Sequence, residues 1–218
     1  MSIYELKIYL NLDPKSKSKI LDRYAKKFYL GYFFVDSEDG HCYLFDRYGK
    51  EKDISLVHEI HTYMIRNDIQ KIVIPDYVTN IWDYAFYHHS GLMSVTIPDS
   101  VMHIGQYAFS GCSSLTNVTI PNSVTSIRDC AFEYCSKLTN MTIGKSVTDI
   151  RNFVFYGCSR LMNLTIPDSV ISIEGSAFYN CSGLKSLVFK NKTIDQVKAM
   201  KSYPFGIENE SVIKAELS

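Results

Sequence analysis

A phrase of 23 residues recurs five times in this chain, and nothing else in the sequence narrows the possible folds as much. Its clearest copy runs from Leu115 to Lys137 and carries Leu115, Val118, Ile120, Pro121, Val124, Ile127, Ala131, Phe132, Cys135 and Ser136. One period on or back, the same residue classes return. Leucines stand at Leu92, Leu115, Leu138, Leu161 and Leu184, and phenylalanines at Phe86, Phe109, Phe132, Phe155 and Phe178. A fixed period of this size marks a solenoid or a propeller, built of units too small to bury their own apolar faces.

Within one phrase the patterning changes. Val118-Thr119-Ile120 alternates with period two and predicts a short strand. Pro75, Pro98, Pro121 and Pro167 follow the strands and end them, because proline donates no ladder hydrogen bond. Gly144 takes that place in one copy and is expected to stop the strand as well. Val124 and Ile127, spaced by three, then Ala131-Phe132 and Cys135, predict a turn or short helical segment with an inward apolar side. Stacked coils would share one core from both segments.

A period in the twenties points to leucine-rich repeats. The run Ile120-Pro121-Asn122-Ser123-Val124 through Ile127, Ala131-Phe132 and Cys135 to Leu138 resembles the BspA-like (Treponema pallidum type) leucine-rich repeat family. Ile97-Pro98-Asp99-Ser100-Val101 through Ile104-Gly105, Ala108-Phe109 and Cys112 resembles it more closely still. The resemblance covers about residues 69–189. Ser100, Ser123, Ser146 and Ser169 stand where the commoner leucine-rich phrase has asparagine. The resemblance implies one parallel strand per repeat on a concave face, and a binding role without a particular ligand.

The expected fold is therefore an α+β repeat solenoid at 69–189, flanked by an N-terminal helix-hairpin-helix portion at 1–68 and a helical C-terminal cap at 190–218. Ser2 with Glu5, and Asp13-Pro14, read as helix starts, and Ile20, Leu21, Tyr24 and Phe28 follow at helical spacing. Tyr32–Val35 and Cys42–Phe45 read as a hairpin around Asp39-Gly40. Residues 53–68 read as a helix. Thr193 and Gln196 form a capping box that opens a helix through about Tyr203, and Ser211–Leu217 has strand character. Solenoid ends need polar caps for solubility, so 1–68 reads as a capping domain, with a separate recognition domain as the other possibility.

Composition excludes several functions. There are 23 basic and 23 acidic side chains, so no charge field argues for nucleic acid. The one local exception is a predicted helix at 14–27 bearing Lys15, Lys17, Lys19 and Arg23; it reads as a solvated face, with nucleic-acid contact as the alternative. Met1–Ile8 carries Glu5 and no apolar run, which is not a standard secretory signal, and no segment has the roughly 20 apolar residues of a membrane helix. These features place the chain in the cytoplasm. Cys112, Cys135, Cys158 and Cys181 recur once per coil, with His89 at that position in the first copy. They read as small buried hydrophobes, since metal ligands would gather at one point instead of spreading along a stack. His58 and His61 flank Glu59 without metalloprotease spacing. Phosphate loops, nucleophile triads and dinucleotide fingerprints are absent, and the breaks in the repeat (Trp82, His88-His89, Gly144-Lys145, Phe153-Val154) form no catalytic set. No enzyme, metal or cofactor is expected.

What remains is a protein-binding module with two candidate surfaces. The outward strand positions carry Lys71, Ser94, Asn117, Asn140 and Asn163, and beside them Val73, Thr96, Thr119, Thr142 and Thr165. They would line the concave sheet, or serve simply as good ladder residues. Aromatic anchors lie instead on the turns and return segments: Trp82, Tyr84, Tyr87, Tyr107, Tyr134, Tyr156 and Tyr179. These would form a binding strip or pack between coils, and in either case Trp82 is expected to be at least half buried. Two roles fit: an intracellular adaptor or inhibitor, for example a phage or mobile-element protein that blocks a host defence complex, and an adhesin-type module of a cell surface without its signal peptide.

Overall fold

The alternating tripeptides form the strands that their period predicts. The structure is a computed structural model that describes residues 33–36, 41–45, 70–74 and 78–217. In chain order its elements are β1 (Phe33–Asp36), β2 (His41–Phe45), β3 (Lys71–Val73), β4 (Asn80–Ile81), β5 (Ser94–Thr96), β6 (His103–Ile104), β7 (Asn117–Thr119), β8 (Ser126–Ile127), β9 (Asn140–Thr142), β10 (Asp149–Ile150), β11 (Asn163–Ile166), β12 (Ser172–Ile173), β13 (Ser186–Lys190), α1 (Ile194–Lys198) and β14 (Ile213–Glu216). We number the coils by their phenylalanines: Phe86 marks the first, then Phe109, Phe132, Phe155 and Phe178.

The longer strands stack in parallel, one per coil. Asn117 lies opposite Asn140, and Val118 opposite Met141. Side chains alternate across the ladder: in β7 Val118 points into the core while Asn117 and Thr119 face out. The ladder is β1-β2-β3-β5-β7-β9, followed by β11-β13-β14. No paired register joins β9 to β11, and the interruption falls on the coil in which Gly144 replaces proline.

The Val124–Ile127 segment differs from expectation. It is not helical: its last two residues form β8, one strand of a second parallel sheet ordered β12-β10-β8-β6-β4. Its backbone partners come from neighbouring coils. Gly105 donates its N–H to the Ile81 carbonyl, and Arg128 to Ile104. The turn that follows uses both options. Ala85 and Tyr87 donate three residues back, to Trp82 and Tyr84, whereas Tyr84, Phe86 and His88 donate to Gln106, Ala108 and Ser110 of the next coil. Each coil thus satisfies the backbone groups of the one before it.

Between the two sheets the repeated residues form columns. Phe86, Phe109, Phe132, Phe155 and Phe178 are fully buried, with successive ring centroids 5.0, 5.2, 6.1 and 5.2 Å apart and nearly parallel planes. Leu92, Leu115, Leu138 and Leu161 are also fully buried and hold the same place in each coil: their amides donate to His89, Cys112, Cys135 and Cys158. Leu184 is partly covered.

The hairpin is present, with Phe33 opposite Phe45, and its second strand extends the solenoid sheet by pairing in parallel with β3. The predicted helices at 1–30 and 53–68, including the basic segment 14–27, and the Asp39-Gly40 turn lie outside the described residues. The helical C-terminal cap is corrected. The Thr193–Gln196 capping box is formed, but α1 ends at Lys198, five residues short of Tyr203. The chain then turns so that Phe205, fully buried, packs 5.8 Å from Phe189, and a continuing helix could not bring it there. β14 closes the sheet by pairing with β13. Among the described residues no helix is long and apolar enough to cross a membrane.

Candidate binding surfaces

The strand-borne candidates share one outer face, as read from the period. Lys71, Ser94, Asn117 and Asn140 are aligned, as are Asn163 and Ser186. Val73 lies opposite Thr96, Thr119 opposite Thr142, and Thr165 opposite Val188. This row serves the stack: the Asn140 amide donates to Asn117 Oδ1 at 2.7 Å. It carries no large ring or arginine, the residues that anchor most interfaces.

The turns present a different surface. Each coil holds two residues in the left-handed region, four apart: Tyr84 and His88, Tyr107 and Gly111, Cys130 and Tyr134, Phe153 and Gly157, Ser176 and Asn180, all with φ between 54° and 75°. Such a conformation costs a non-glycine residue about 1–2 kcal/mol. Glycine meets that need at Gly111 and Gly157, yet tyrosine fills it at Tyr84, Tyr107 and Tyr134.

The rings on these turns form two groups. Tyr84 and Tyr107 stack with centroids 5.0 Å apart, and Tyr87 meets both edge-on. Tyr156 and Tyr179 stack at 5.6 Å, and Tyr156 meets Tyr134 and Phe153 edge-on. Tyr134 and Tyr179 remain 48% and 46% exposed. The Tyr107 phenol is pushed up to about 12, first by its hydrogen bond to Cys130 and then by nearby negative charge. The Tyr134 phenol also rises to about 12, chiefly through its bond with Tyr156. Both are therefore neutral hydroxyls at physiological pH.

Six of the seven aromatic candidates thus come together on the turns, and Trp82 does not. It is mostly buried, as expected, and packs against the core with its indole N–H unpartnered. His88 and Phe153, left out of the sequence-read strip, belong to it. The signal was positional: they fall one period from Gly111 and Cys130, in the left-handed columns.

The cysteine column is a packing device. Cys112, Cys135, Cys158 and Cys181 are buried free thiols, each donating to the carbonyl of the phenylalanine 26 residues earlier at 3.0–3.2 Å. Burial raises all four thiols well above their ordinary range, so they are inert.

The family model for the BspA type leucine rich repeat region matches in six copies, over residues 58–185 and 104–206, more than half of the chain. The chain belongs to this family. The BspA-type chain is similar to a solved leucine-rich repeat protein of Treponema pallidum: 27% identity, covering 72% of this chain and 68% of that one, with a TM-score of 0.56. A leucine rich cell surface protein of Faecalibacterium prausnitzii is 28% identical over 73% of this chain and 53% of that one, with a TM-score of 0.47. A leucine-rich repeat protein of Bacteroides ovatus is 19% identical over 87% and 76%, with a TM-score of 0.39. Among curated proteins none matches. Repeats of the BspA type are typical of protein-binding modules.

Proposed function

We propose that this BspA-type solenoid is a non-catalytic protein-binding module, and that its contact surface is the tyrosine-rich turn edge. The observation that carries this is the exposed Tyr134 ring, held in a left-handed conformation that glycine would adopt without strain. Stability alone gives no reason to keep large rings in such positions, and strain that persists in a fold points to use. Tyrosine also gives much contact area for little lost side-chain freedom, and it is enriched at interface hot spots. The Ser, Thr and Asn face of the sheet lacks comparable anchors.

The test is affinity capture from lysate of the native host, quantified for three proteins: the unaltered chain, Tyr134→Ser/Tyr179→Ser, and Asn117→Ala/Asn140→Ala. All three should keep the same circular dichroism spectrum. Specific proteins retained by the unaltered chain should be lost with the tyrosine variant and kept with the asparagine variant. The reverse pattern would move the contact surface to the sheet.

A further inference from the structure

The interior columns run out at the C-terminal end of the solenoid. Phe155 donates its N–H to the Ala177 carbonyl, and Phe178 donates in the same way to Phe205. Gly206, the next residue, therefore stands where a further phenylalanine would, and it brings no side chain. The cysteine and leucine columns also end there uncovered. Cys112, Cys135 and Cys158 are 0% exposed, but Cys181 is 9% exposed. Leu92, Leu115, Leu138 and Leu161 are fully buried, but Leu184 is only partly covered. Each earlier leucine is followed by the leucine of the next coil, and Leu184 is not.

A pocket of about 290 Å³ occupies this place. Cys181 and Leu184 line it from the fifth coil, and Ile207 and Val212 line it from the C-terminal cap. Ser182 and Glu208 also line it and are exposed, so the apolar interior has a polar mouth. That is the composition of a ligand site, at a size that suits one side chain better than a drug-sized molecule. The pocket also adjoins the tyrosine edge. Gly206 is part of its lining, and a Cβ added there would stand 3.0 Å from the Cβ of Tyr179, which is 46% exposed.

We propose that this pocket anchors a leucine side chain of the partner protein, at the C-terminal end of the tyrosine edge. The repeat itself selects leucine: in every earlier coil the leucine of the following coil completes the interior at this point. The Ser182 hydroxyl and the Glu208 carboxylate at the mouth are acceptors for the peptide N–H groups that flank such a leucine. An apolar pocket beside exposed rings is also how interface anchors are commonly seated. This deepens the proposed function and rests on the turn edge being the contact surface. It makes the partner a protein with a leucine standing out from a tyrosine-compatible patch.

The full chain, isotope-labelled, is titrated with acetyl-Gly-Leu-Gly-amide and with acetyl-Gly-Ala-Gly-amide. Methyl signals of Leu184, Ile207 and Val212 should shift with the leucine peptide, with an affinity on the order of millimolar for a single side-chain contact. The alanine peptide, whose methyl leaves the pocket mostly empty, should bind roughly tenfold more weakly or worse. Leu184→Phe places a larger side chain in the pocket and should abolish the shifts at Ile207 and Val212. Absence of shifts at these methyls, equal response to the two peptides, or full response in Leu184→Phe would overturn the assignment. The comparison of peptides uses the unaltered protein, so it decides even if Leu184→Phe folds poorly. If capture from lysate depends on Tyr134 and Tyr179 while the leucine peptide leaves these methyls in place, the contact edge stands and the pocket assignment falls. If the leucine peptide binds as expected and capture ignores both tyrosines, the pocket stands and the contact edge falls.

Discussion

The ring of Tyr134 lies across Gly157 of the next coil. A Cβ added at Gly157 would stand 2.7 Å from Tyr134 Cδ1, and Gly157 itself has φ of +70°. Gly157→Ala therefore meets two obstacles, a ring and a left-handed backbone, and is expected to lower stability by about 1–3 kcal/mol in urea unfolding. Tyr134→Ser removes only the ring. Combining the two should recover part of the loss, with a coupling of at least about 0.5 kcal/mol in the double-mutant cycle. Strict additivity would show that the ring does not rest there in solution.

The phenylalanine column predicts where the stack is most easily broken. Phe132 is fully buried between Phe109 and Phe155, at 5.2 and 6.1 Å. Phe132→Ala should cost about 3–5 kcal/mol, because coils on both sides lose contacts and neither is free to collapse into the gap. The single tryptophan, Trp82, sits two coils away against the same core and reports whether the loss is shared. Its fluorescence and the far-ultraviolet dichroism should move to lower urea together. Separate transitions would mean that the coils unfold in independent blocks.

Stability should fall at alkaline pH through the buried thiols. Burial raises Cys112, Cys135 and Cys158, and it pushes Cys181 up to about 12, from an ordinary value of 9.0. In the unfolded chain these thiols ionise from about pH 9, while the folded chain keeps its protons. The stabilisation is thus complete below pH 9 and is lost as pH rises above it. Thermal midpoints should be level from pH 7 to 8 and decline beyond 9, before the tyrosines add their own slope. Cys135→Ala/Cys158→Ala should be less stable at pH 7 yet decline less steeply, and an unchanged slope would rule the thiols out as the cause.

Much of this architecture was legible in the sequence because two periods are superimposed. Period two within Val118-Thr119-Ile120 marks the strand, and the 23-residue recurrence of Leu115, Phe132 and Cys135 marks what lies above what. The second sheet was not legible. Ser126–Ile127 is too short to show alternation, and its partners are a whole coil away, where no local pattern can reveal them. The early end of α1 was hidden as well: Pro204 and Gly206 mark a stop several residues beyond Lys198, where the helix ends. On the turn edge the tyrosines could be named but not their strained backbone. Glycine is the usual sign of a left-handed position, and it appears only at Gly111 and Gly157, 46 residues apart, with rings standing in the same columns between them.

Gly144 separates repeat consensus from physical need. The four equivalent positions, Pro75, Pro98, Pro121 and Pro167, all carry proline, so placing proline at 144 looks like an improvement. The coil geometry says otherwise. A Cβ at Gly144 would stand 2.2 Å from the Pro121 carbonyl oxygen and 2.6 Å from its carbon, both backbone atoms that cannot swing aside. The coil approaches its neighbour closely at this point, where the ladder between β9 and β11 is also interrupted. Gly144→Pro and Gly144→Ala should therefore both destabilise, by about 2 kcal/mol or more, in spite of the entropy each removes from the unfolded chain. A thermal midpoint equal to or above that of the unaltered protein would show that the coils can part at Gly144 without penalty, and that proline is absent there by chance.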